Sequence, residues 1–152
     1  MRWAPAQIAA AAVGTVFLVV GVLGFIPGCT THYDQLAFAG HHSGAMLFGI
    51  FNVSVLHNIV HLGFGVAGVR SARHFGRAQG YLIGGGIVYL LLWIYGLLVE
   101  PGKSLDFVPF NNADNWLHLG LAVAMIGLGL GLFGRRSDTA AVGQVSASNV
   151  SR

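Results

Sequence analysis

Four apolar runs, each about long enough to cross a bilayer, constrain this chain more than any other feature. They cover about 4–26, 45–69, 81–99 and 115–133. A hydrocarbon core about 30 Å thick needs roughly 20 helical residues to span it. Backbone in lipid must satisfy its own hydrogen bonds, so runs of this length read as helices. Only 9% of the 152 residues are charged, against about 25% in an ordinary soluble domain, and mean hydropathy is +0.69. A soluble surface cannot be made from that composition. The expected fold is all-α: an integral membrane four-helix bundle over 1–134, the only domain. The tail, 135–152, lacks aromatic or periodic pattern and reads as disordered.

Orientation follows from the basic residues. Arg2, Arg70, Arg73, Arg77, Arg135, Arg136 and Arg152 fall on one side of the four runs, and only Lys103 falls on the other. Cytoplasmic loops carry the excess of Lys and Arg, which places both termini in the cytoplasm of a cell-membrane protein. Topology accounts for the net charge of +3, so no nucleic-acid partner is expected. The lipid bilayer is the expected partner, with a membrane protein or a second copy of the chain as further candidates. Four acids, Asp34, Glu100, Asp106 and Asp114, fall outside. Asn112 or Asp114 is the expected N-cap of the fourth helix. Trp3, Trp93, Tyr95 and Trp116 fall near the interfaces, where amphipathic rings settle. A single cysteine, Cys29, excludes an internal disulfide. Ile26-Pro27-Gly28-Cys29 is a weak lipoprotein cleavage box, set against an apolar run too long for a signal core; whether Cys29 is modified stays open.

The second run carries the most informative signal. Ser54, His57, Asn58, His61, Gly65 and Gly68 recur at helical spacing and share one stripe. Imidazoles and amides in mid-membrane are costly unless they face the bundle interior or a wet cavity, so the stripe faces inward. In the fourth run Asp114 and His118 are one turn apart. Counting at about 1.5 Å per residue from the nearest arginines puts His57 about 20 Å up, His61 about 14 Å and His118 about 26 Å. His57 and His118 then differ by about 6 Å in height and form, with Asp114, the expected polar node. Tyr89, Trp93, Gly96 and Glu100 share a face of the third run. The glycines, Gly80 and Gly84 among them, read as packing devices that let transmembrane backbones approach, with no phosphate-loop pattern.

Several chemistries compete for these residues. His57 and His61 have the spacing that presents two imidazoles to one metal, but Asn58 stands where a zinc protease carries its glutamate, which excludes that class. A structural role, with the histidines bonded to Ser54, Tyr89 or Asp114, leads. Haem b, held axially by His57 and His118, or a divalent metal would make the chain a redox protein. Proton or small-solute passage is a further reading, since stepped imidazoles could relay protons, although no inverted repeat or broken helix marks a transporter. His32, His41, His42, Asp34 and Asp114 are candidates for a metal at the outer surface. Ser54 beside His57 lacks an evident oxyanion hole, so catalysis has little support. The leading reading is a non-enzymatic membrane protein, an accessory subunit with a buried polar cluster.

The segments GFIPG, FNVSVLHNIVHLGFGVAGV, GGGIVYLLLWIYG and NNADNWLHLGLAVAMIGLGL resemble a bacterial domain-of-unknown-function family of small four-helix membrane proteins. The resemblance covers about Ala9 to Phe133, and LHNIVHL and ADNWLHL are its specific parts. It implies a multi-pass membrane protein and carries no reaction, ligand or partner with it.

Overall fold

The computed structural model describes residues 3–40, 42–99 and 111–150, with side chains as far as Gly131. Arg2, His41, Glu100, Lys103, Asp106 and Arg152, all used in the sequence reading, lie outside the described residues. Four helices dominate: α1 (Pro5–Leu23), α2 (Val55–Ser71), α3 (Phe75–Leu98) and α4 (Asn112–Val150). Pro5 sits in the first turn of α1, where its missing N–H costs nothing. Ser54 caps α2, its hydroxyl accepting from His57 N at 3.1 Å. Three helical stretches, α1, α3 and Asn112–Gly131 of α4, are long and apolar enough to cross a membrane. Their outward residues are Val16, Val19, Leu91, Leu97, Val123 and Leu130, all exposed, as a lipid-facing surface requires.

The second apolar run behaves differently from expectation. Residues 45–54 are not helical: β2 (Met46–Leu47) and β3 (Phe51–Asn52) form a hairpin. β1 (Thr30–Thr31) pairs antiparallel with β2, giving a sheet of order β1-β2-β3. The fold is therefore not purely α. Gly49 takes a positive φ of 70° at the turn, and Ser54 starts the helix afresh. Ala45, Leu47 and Val53 pack beneath the sheet against Val20, Leu23 and Leu36. α2 keeps 17 residues, about 25 Å of helix. At the other end, the backbone of α4 continues as helix to Val150, across most of the tail that composition reads as disordered. No proline interrupts that stretch, and Ala140 and Ala141 supply strong helix formers within it.

α1 packs chiefly on α2, and α3 chiefly on α4. The backbones of the first pair touch: a Cβ on Gly14 would lie 2.7 Å from Val69 N and 2.9 Å from Gly65 O. In the second pair a Cβ on Gly86 would lie 3.0 Å from Ile126 N. Gly80 and Gly84, the spacing expected to pack, instead face open space.

These two helical hairpins are copies of one plan. A shift of 72 residues carries Ala6, Ala10, Gly14 and Phe17 of α1 onto Ala78, Leu82, Gly86 and Tyr89 of α3, all eight buried. A shift of 57 carries His61, Gly65 and Gly68 of α2 onto His118, Ala122 and Met125 of α4, again all buried. Polar ties repeat as well. Gln7 Nε2 donates to Ala72 O at 2.8 Å, and its equivalent Gln79 donates to Gly129 O at 3.1 Å. The repeat is direct, so a search for an inverted one passes over it. Among the described residues the sheet belongs to the first copy.

Candidate functional site

The helix caps decide which polar residues enter the bundle. Ser54 is spent on capping α2 and does not join the histidine rings. In the second copy the cap is Asn111, where the sequence points to Asn112 or Asp114. Its Oδ1 accepts from Asp114 N at 2.9 Å, and Asp114 Oδ2 accepts from Asn111 N at 3.0 Å. This reciprocal pair is a capping box. Asp114 also accepts from Asn52 N at 3.1 Å, so its carboxylate is engaged by backbone at the sheet end.

Below the caps lie the amides. Asn58 is buried against Gly24, with no room for a Cβ on the glycine, and its Nδ2 finds no partner among the described residues. Its equivalent Asn115 packs on Gly96 in the same way and donates to Gly96 O at 3.1 Å.

Beside the amides the rings meet. His57 stacks on His61 with centroids 4.4 Å apart and planes 14° from parallel. His61 Nδ1 lies 3.0 Å from His57 O; a carbonyl only accepts, so Nδ1 carries the proton. The edge of His61 meets Phe17 at 5.5 Å. Phe17 stacks on Tyr89 at 5.4 Å and 14°, and Tyr89 meets His118 at 5.4 Å. Phe64 closes the side, 6.0 Å from Phe17 and 5.7 Å from Tyr89. Phe17 and Tyr89 are equivalent residues of the two copies, and so are the flanking His61 and His118. The column therefore joins one hairpin to the other. His61 and His118 are buried and His57 is half-buried, all three within electrostatic reach of one another.

Ring contacts with His61, Phe17 and Tyr89 link His57 to His118 in succession. Among the described residues no three of His, Cys, Asp and Glu gather as a metal site.

A family profile, the domain of unknown function DUF4383, matches residues 7–131. The chain belongs to this family. No curated protein and no solved structure matches it. The DUF4383 match takes in both helical hairpins, the caps and the whole ring column. Two members of that column, Phe17 and Phe64, escape a reading of polar residues alone. Their signal lies in spacing: Phe17 follows Gly14 by one turn on the packed stripe of α1, and Phe64 follows His61 by three residues.

Proposed function

We propose that this DUF4383 protein is a non-enzymatic, multi-pass protein of the cell membrane in which the ring column docks one helical hairpin on the other. Both termini lie in the cytoplasm, and the docked bundle serves as an accessory subunit to a membrane protein or to a second copy. One observation carries the reading: the Phe17–Tyr89 stack joins equivalent residues of the two copies and is flanked by His61 and His118. Aromatic contacts of this kind are worth about 0.5–1.5 kcal/mol beyond their area burial. Thermal unfolding of the purified protein tests it. His61→Leu and His118→Leu should each lower stability by about 0.5–1.5 kcal/mol, while His74→Leu, an exposed residue of the α2–α3 turn, should leave it unchanged. Equal effects at all three positions would sink the docking role. A reporter fused after Arg152 that works only outside the cell would sink the orientation.

A second reading, proton passage, is favoured by the half-buried His57 stacked on the buried His61. Proteoliposomes holding a pH gradient separate the two. Docking predicts that the gradient decays as in empty vesicles; passage predicts faster decay that His61→Leu abolishes.

A further inference from the structure

A groove of about 440 Å³ opens on the outer face of α2, away from the ring column and at the end opposite the sheet. Gly63, Val66, Ala67 and Arg70 line it at intervals of three, four and seven residues, so they form one straight strip along α2. Ser71 and Arg77, the latter from the first turn of α3, close its end. The strip is chemically graded. Its floor is small and apolar: a Cβ on Gly63 would meet nothing within 4 Å, and Val66 is 49% exposed. Its end carries two guanidinium groups and a hydroxyl. The carboxylates whose side chains are described, Asp34 and Asp114, both lie at the far, sheet end.

An apolar trough about 10 Å long that ends in two arginines at the rim of a membrane bundle has the polarity of a phospholipid. We propose that this groove binds an anionic phospholipid, its headgroup phosphate between Arg70 and Arg77 and its glycerol and upper acyl chain along Gly63, Val66 and Ala67. Arginine pairs suit phosphate because their planar, fixed donors bond its oxygens two at a time. A free inorganic anion would have no use for the trough. The second copy of the repeat supplies an internal comparison. A shift of 57 places Gly120, Val123, Ala124 and Gly127 where the first copy has Gly63, Val66, Ala67 and Arg70. Apolar character is kept and the cation is lost, so a general need to face acyl chains explains the trough in both copies but not Arg70. This site depends on the bundle lying in a bilayer and is independent of the ring column.

Lipid retention by the full chain tests the proposal. The protein in detergent is incubated with equal amounts of phosphatidylglycerol and phosphatidylcholine, washed, and its retained lipid measured by mass spectrometry. Phosphatidylglycerol should be retained at least about tenfold over phosphatidylcholine, since each basic residue near a membrane surface contributes about fivefold. Arg70→Gln with Arg77→Gln should remove that preference, and Ala67→Phe should lower retention with both charges intact. Arg73→Gln, an exposed arginine outside the groove, should change nothing. Persistence of the preference in the double variant, or an equal loss in Arg73→Gln, would overturn the site. Displacement by millimolar inorganic phosphate would show that the groove reads free anions, and would equally overturn a lipid site.

Discussion

Asp114 Oδ2 accepts the backbone N–H of Asn52 at 3.1 Å, joining the first turn of α4 to strand β3 across 62 residues of sequence. The same oxygen accepts from Asn111 N at 3.0 Å. In the first copy the equivalent cap is simpler, a hydroxyl of Ser54 on His57 N. The second copy thus uses a carboxylate where the first has an imidazole, and the added acceptor ties the sheet to the bundle. Asn111 strengthens that tie by donating from Nδ2 to Ile50 O at 2.7 Å.

Asp114→Ala removes the acceptor from two part-buried backbone donors at once. A stranded donor costs about 1–3 kcal/mol, while the Asn111 side chain still caps the helix. The expected loss is therefore at least about 2 kcal/mol by thermal unfolding in detergent. Asn112→Ala, one residue into the helix and exposed, should lose less than about 0.5 kcal/mol. The reverse order would place the cap at Asn112.

Glycine substitutions should separate packing positions from open ones. A methyl at Gly14 would meet backbone at 2.7 Å, where no flexible side chain can yield, so Gly14→Ala must part α1 from α2. Overpacking of this kind costs about 1–3 kcal/mol. Gly84→Ala enters open space in a helix interior and should gain about 0.5–1 kcal/mol. Denaturation in mixed micelles reads both. A Gly14→Ala protein as stable as the parent would show that the two backbones do not touch.

The helices α1, α3 and α4 are legible because long apolar runs have one backbone solution in lipid. Residues 45–54 are not, since AMLFGIFNV continues the apolar run and a short apolar stretch looks alike as strand or buried helix. Only Gly49 and Ser54 mark the break, and each is common inside membrane helices as well. His61 and His118 stand out as polar residues in an apolar background. Phe17 and Phe64 do not, because an aromatic among valines and leucines carries no contrast, and only the packed structure distinguishes them from lipid-facing neighbours. The repeat is written openly in LHNIVHLGFGV and ADNWLHLGLAV; the exchange of His57 for Asp114 hides it from a search for matched polar residues.

The ring column predicts coupling across the hairpins. Phe17 and Tyr89 stack at 5.4 Å, so removing either ring removes the same contact. A double-mutant cycle of Phe17→Leu and Tyr89→Leu should give an interaction energy of about 0.5–1.5 kcal/mol. Phe17→Leu combined with Leu130→Ala, an outward residue of α4 that is 60% exposed, should be additive. Additivity in both pairs would mean that the stack contributes nothing to docking.

The β2–β3 turn should lie at the lipid boundary. Phe48 and Ile50 flank Gly49 and are 55% and 51% exposed, and Phe48 holds a positive φ of 53°. A bulky residue in that left-handed conformation is strained, yet the turn presents two large apolar side chains outward. Water gives no return for that arrangement, whereas the interfacial zone of a bilayer solvates both rings and aliphatic chains. The short α2 is consistent with it, since a helix of about 25 Å leaves part of the membrane thickness to be covered by the hairpin above. Single cysteines in a Cys29→Ser background test the depth in proteoliposomes with a water-soluble maleimide. Ile50→Cys should react at least about tenfold more slowly than Asp34→Cys, an exposed position on the same cap, because the reagent partitions poorly into the interface. Solubilising the vesicles in a denaturing detergent should equalise the two rates. Equal rates before solubilisation would put the turn in water and leave the exposed Phe48 and Ile50 as a surface for something other than lipid.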